Sequence, residues 1–151
     1  MAGSFKERLE PVILMAERAE REAAKRLGQG QAQLAQAAAK LTDLEHYRED
    51  YQKRWLEQGK QGVSARWLVN YQHFMTQLDT AINQQQRSVN WYRESLEKLR
   101  QQWLQKQARL DGLRKLVARK EAEMRKKLEL REQKQLDELS QRRINSYKAE
   151  D

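Results

Sequence analysis

The stretch Leu44-Glu-His-Tyr-Arg48-Glu-Asp-Tyr51-Gln-Lys-Arg-Trp55-Leu-Glu-Gln-Gly59-Lys-Gln-Gly62-Val-Ser-Ala-Arg-Trp-Leu68-Val-Asn-Tyr71-Gln-His-Phe-Met75-Thr-Gln-Leu78 joins two series that keep one spacing and break once. Backward from Trp55 the series continues through Tyr51, Arg48, Leu44, Leu41, Ala37, Leu34, Gly30, Leu27, Ala23, Glu20, Ala16 and Ile13 to Leu9, at alternate intervals of three and four. Forward from Leu68 it continues through Tyr71, Met75, Leu78, Ile82, Gln85, Val89, Tyr92, Leu96, Leu99, Trp103, Lys106, Leu110, Leu113 and Val117 to Lys120 and Met124. A mostly apolar seam of period 3.5 held this long belongs to helices wound about each other. One short gap between two such seams makes an antiparallel pair. The expected fold is all-α, a two-stranded antiparallel coiled-coil hairpin with a longer second helix.

Composition agrees. Of the 151 residues, 34% are charged, 38% hydrophobic and only one is proline, the profile of long helices. A narrow seam uses few apolar side chains, so low hydrophobicity suits a folded hairpin. There is no cysteine, hence no disulfide and no thiolate chemistry. No segment approaches the roughly 18 uninterrupted apolar residues of a membrane span, and no apolar run follows a basic start. A soluble, intracellular chain is expected.

Local signals set the boundaries. Ser4 with Glu7 fits a capping box. Pro11 either kinks helix 1 or marks its start. Gln58-Gly-Lys-Gln-Gly62 supplies the breakers, and Ser64 is the expected cap of helix 2, with Val63 and Leu68 placed as a hydrophobic staple. The reading is one hairpin over 1–151: helix 1 about 4–57, turn 58–63, helix 2 about 64–145. A turn near Lys60 pairs Leu44 with Leu78, Leu34 with Val89, Leu27 with Leu96, Leu9 with Leu113 and Gly30 with Tyr92. From about residue 118 helix 2 overhangs, and there the spacing slips to fours through Met124, Leu128, Glu132 and Leu136.

The flanks of the seam carry the candidate sites. One flank sets Glu10 and Glu17 against Arg100 and Arg114, pairs that favour the antiparallel arrangement at tenths of a kcal/mol each. The other carries Tyr47, Trp67, Phe74 and Ala81 near the turn, and Phe5, Val12 and Leu116 near the open end. A two-helix pair has little use for these extra apolar side chains, so they either broaden its own interface or meet other proteins. Between Lys98 and Lys120 eight basic residues stand against Asp111 alone. Arg109, Arg114, Lys115, Arg119 and Lys120 are the candidates there for an anionic partner, whether nucleic acid, an acidic protein surface or anionic lipid; a solvated helix face is the plain alternative.

An enzyme is not expected. No phosphate-binding glycine motif and no acid, base and nucleophile set is present. His46 and His73 come near each other by the pairing but point outward on opposite sides, so no metal and no cofactor is expected. Reading of DNA by a zipper's basic region is unfavoured, because the seam runs through the basic stretch.

Two stretches carry a resemblance: Tyr47-Arg-Glu-Asp-Tyr51, and the more specific Ser64-Ala-Arg-Trp-Leu-Val-Asn-Tyr-Gln-His-Phe-Met-Thr-Gln-Leu78. With the overall length and the unequal helices, the chain resembles the FliJ family of the bacterial flagellar export apparatus. The resemblance implies a cytosolic stalk in the centre of the hexameric export ATPase ring, touching the export-gate membrane protein FlhA at the inner face of the cell membrane. Export chaperones are further implied partners, and nucleic acid is not expected. It also implies a gate contact through Leu44, Tyr47, Tyr51, Phe74, Leu78 and Ala81, beside which the flank reading sets Trp67. Leu44, Tyr51 and Leu78 lie in the seam, so their part in a contact requires partial exposure. The rival readings are a basic hairpin binding nucleic acid, as in the coiled-coil arms of some tRNA synthetases, and a plain oligomerising coiled coil.

Overall fold

The computed structural model describes residues 4–149. Two helices, α1 (Phe5–Gly59) and α2 (Ala65–Ala149), pack against each other as an all-α helical hairpin, and no strand occurs among the described residues. The N-terminus of α1 is the capping box: Glu7 N–H donates to Ser4 Oγ at 3.2 Å and Ser4 N–H to Glu7 Oε2 at 3.3 Å. Pro11 therefore lies inside α1 and does not start it. Lacking an N–H, it leaves the Glu7 carbonyl without its i+4 donor.

The turn is shorter and later than its composition suggests. Gln58 and Gly59 remain helical because the Lys60 N–H still donates to the Leu56 carbonyl at 3.2 Å. Gln61 and Gly62 then donate to the carbonyls of Gln58 and Gly59. Gly62 takes φ +92°, a left-handed conformation that a Cβ disfavours. Ser64 stands outside α2 as its cap, accepting the Trp67 N–H on Oγ at 3.2 Å. The staple does not close tightly, since Val63 and Leu68 are 44% and 46% exposed. At the far end α2 continues to Ala149, past the expected residue 145.

The chain divides into two compact units, one of residues up to Glu20 and from Lys106 onward, the other Arg21–Gln105. In the second unit the α1 seam is buried at Ala23, Gly30 and Ala37 and half-buried at Leu27, Leu34, Leu41, Leu44, Arg48, Tyr51 and Trp55. Opposite it, Met75, Leu78 and Val89 are buried. Small residues recur here every seven positions and let the helices approach closely. A Cβ on Gly30 would lie 2.7 Å from Leu99 Cδ1 and 3.3 Å from Leu96 Cδ1. Those two leucines, and not Tyr92, fill the space over Gly30. The later turn and the lean of helical side chains toward the N-terminus move the partner along by about one turn.

Two polar seam residues reach across within the same unit. Gln85 Nε2 donates to the Ala37 carbonyl at 3.0 Å, and Arg48 Nε to Asp79 Oδ1 at 2.7 Å. The Asp79 hydrogen bond raises the Arg48 pKa, with burial opposing it. That raised cation stays charged throughout the neutral range, and its contribution is lost only as pH climbs past the folded-state value.

In the first unit Ala16, Leu110 and Val117 are buried. Glu17 accepts from Arg114 Nη2 at 3.1 Å, the flank pairing expected, and Lys6 meets Glu121 at 3.5 Å. Lys106, Lys120 and Met124, which share the seam spacing, are exposed. Every residue from Ala118 to Ala149 is exposed.

Candidate partner-binding surfaces

In the Arg21–Gln105 unit, six aromatic rings form one continuous cluster. Tyr47 lies 6.2 Å from both Tyr51 and Phe74, centroid to centroid, and Tyr51 lies 4.1 Å from Phe74. Tyr51 passes to Trp55 at 5.2 Å, and Trp55 meets Trp67 at 4.6 Å and Tyr71 at 5.2 Å. Trp67 and Tyr71, four residues apart on α2, stack at 9°. The spacing explains the assembly: Tyr47, Tyr51 and Trp55 step at i, i+4, i+8 along one face of α1, opposite Trp67, Tyr71 and Phe74.

The expected gate residues do not all present themselves equally. Tyr47 is 49% exposed, and Leu44, Tyr51, Trp67, Phe74 and Ala81 are half-buried. Leu78 is 7% exposed, so its side chain has almost no area to give a partner. Its place is between the helices, with the seam spacing that predicts it. Trp55, Tyr71 and Leu56 were not singled out from sequence as surface residues. They line a groove of about 460 Å³ with Gly59, Lys60, Trp67 and Leu68 beside the turn. The signal that marks it is the aromatic i, i+4 run continuing to Trp55.

In the other unit the five basic candidates separate by their partners. Arg114 is held by Glu17, Lys115 by Asp111 at 2.9 Å, and Lys120 by Glu123 at 3.6 Å while it also lies over the Phe5 ring. Arg109 and Arg119 carry no ion pair among the described residues. Arg109 and Lys106 edge a groove floored by Val12, Met15, Ala16 and Ala19, and Met15 is 71% exposed. This surface combines apolar area with unpaired positive charge, suited to a partner with the opposite charge at its rim.

No set of three or more His, Cys, Asp or Glu among the described residues is arranged to hold a metal ion. No helix among them is long and apolar enough to cross a membrane.

The model of the family described as "Flagellar FliJ protein" matches residues 5–148. The chain belongs to the FliJ family. It is 27% identical over 128 residues to the flagellar FliJ protein of Escherichia coli (strain K12), covering 85% of this chain and 87% of that one. It is 27% identical over 134 residues to the flagellar FliJ protein of Salmonella typhi, covering 89% and 91%. No solved structure is significantly similar. The match of this FliJ-family chain runs through both helices and not merely through a heptad-rich segment.

Proposed function

We propose that this chain, by its family a component of the flagellar export apparatus, acts there as a non-enzymatic coiled-coil stalk linking the hexameric export ATPase to the membrane gate protein FlhA. The observation that carries this reading is the aromatic cluster of the Arg21–Gln105 unit. Tyr47 and Phe74 keep part of their rings open on a flank that helix pairing does not consume, and such rings supply much of the energy at protein interfaces. The basic surface around Arg109 and Arg119 is the ATPase-facing side in this reading. Association with the inner face of the membrane follows from the gate contact, with no span needed. Export chaperones are further candidate partners.

The test is direct binding of the purified chain to the cytosolic part of FlhA, with Phe74→Ala and Tyr47→Ala beside the parent chain. Loss of binding in both, with helix content kept, supports the stalk reading. Unchanged binding sinks the assignment of the aromatic face. Steep salt dependence toward unrelated RNA, with no response of the ATPase, transfers the basic surface to the nucleic-acid rival.

A further inference from the structure

Around its turn the Arg21–Gln105 unit exposes apolar side chains and unpaired cations together. Leu56 and Val69 are 59% and 62% exposed, with Val63 and Leu68 at 44% and 46%. Trp55, Trp67 and Tyr71 wall the groove beside them. From residue 53 to residue 66, Lys53, Arg54, Lys60 and Arg66 stand against Glu57 alone. All four cations are exposed, and none has an ion pair among the described residues. The backbone donors of Lys60, Gln61 and Gly62 are already taken by the carbonyls of Leu56, Gln58 and Gly59. Those three groups therefore lose little where water is scarce.

The distribution of these groups decides what covers them. Leu56 and Leu68 line the groove, but Val63 and Val69 do not. A peptide seated in the groove would leave two exposed apolar side chains in water. A nucleic acid would answer the cations and leave all four apolar side chains uncovered. An anionic bilayer surface answers both. It is fluid, so it closes over apolar side chains wherever they stand around the turn, and its phosphates lie where lysine and arginine stems can carry their charge. Tryptophan and tyrosine favour that same headgroup level, each having an apolar ring with one polar group.

We propose that the turn, residues 53–71, seats in the headgroup layer of an anionic membrane. Leu56, Val63, Leu68 and Val69 enter the layer, while Lys53, Arg54, Lys60 and Arg66 meet lipid phosphates. The contact is interfacial, since no helix among the described residues is long and apolar enough to cross. The inference goes beyond the stalk reading, in which the gate protein alone holds the chain at the membrane. Tyr47 lies about 18 Å along α1 from Gly59, which leaves it to a protein partner while the turn meets lipid.

Vesicles of phosphatidylglycerol with phosphatidylethanolamine test this on the full chain. Neither ATPase nor gate is present, so a failure here leaves the stalk reading standing. The chain should float with these vesicles and not with vesicles of phosphatidylcholine alone, and added salt should weaken the binding. Lys60→Glu with Arg66→Glu should lower the affinity at least about tenfold. Leu56→Gln with Val69→Gln should also lower it, about tenfold, with helix content kept in both variants. Because the chain has no cysteine, an environment-sensitive dye can report the point of contact. On Val63→Cys its emission should shift to the blue with anionic vesicles. On Asn90→Cys, about 38 Å along α2 from Ala65, it should not. Vesicle binding that leaves the Val63→Cys dye unshifted puts the contact at another basic stretch and overturns the proposal. Absence of binding overturns it, as does binding that Leu56→Gln with Val69→Gln leaves unchanged. A dye that shifts only on adding the cytosolic part of the gate protein gives the turn to a protein and overturns it too.

Discussion

Gly30 and Leu78 show how closely the seam is fitted and what a substitution there measures. A Cβ at Gly30 must push aside only the tips of Leu96 and Leu99, both half-buried and able to turn. Replacing a mid-helix glycine by alanine gains about 1 kcal/mol of helix propensity, which offsets that shift. Gly30→Ala should leave urea stability within about 1 kcal/mol of the parent, whereas Gly30→Leu should destabilise by about 1–3 kcal/mol through overpacking. Leu78→Ala should cost about 2–5 kcal/mol, since Leu78 is buried. A small cost in urea melts would move Leu78 out of the core and back to the partner surface. The burial of Leu78 is legible in its three-and-four spacing alone. The close approach at Gly30 is only half legible: the small residue marks it, but naming its neighbour takes the true turn centre.

At the scale of elements, the caps and the turn carry the hairpin's geometry. Ser64→Ala removes the acceptor for the Trp67 N–H and should cost about 1 kcal/mol. Gly62→Ala should cost about 1–2 kcal/mol, because the left-handed φ crowds a Cβ. Ser4 and Glu7 read correctly from sequence because a capping box is wholly local. The end of α1 did not, because Gly59 is a breaker by composition yet keeps the helical bond from Lys60 to Leu56. The choice for Pro11 was set by that same capping box, which starts α1 six residues before it. Both Ser64→Ala and Gly62→Ala are checked by thermal unfolding. A neutral Gly62→Ala would mean the turn relaxes to another conformation.

For the whole molecule, the aromatic cluster and the basic surface belong to different compact units, and this separation decides how the stalk reading is tested. Which flank is aromatic and which end is basic is legible in residue type and spacing. Which cations are free is not, because it depends on whether Glu17, Asp111 or Glu123 reaches them. Reversing Arg114 or Lys115 breaks exposed ion pairs worth little and confounds binding with local repair, whereas Arg109→Glu with Arg119→Glu changes charge without breaking a pair. That double variant should lower stimulation of the export ATPase, more at low salt than at high salt because exposed charges are screened. Its binding to the gate protein should match the parent's. Phe74→Ala should do the reverse, weakening gate binding by about 1–3 kcal/mol while ATPase stimulation survives. Phe74 also packs on Tyr51 at 4.1 Å, so its unfolding midpoint must be measured beside its binding. A fall in stability equal to that of Leu78→Ala would make the ring core and remove it from the interface. If each variant instead lowers both activities together, the two surfaces serve one partner, and a stalk that joins two partners is the wrong description.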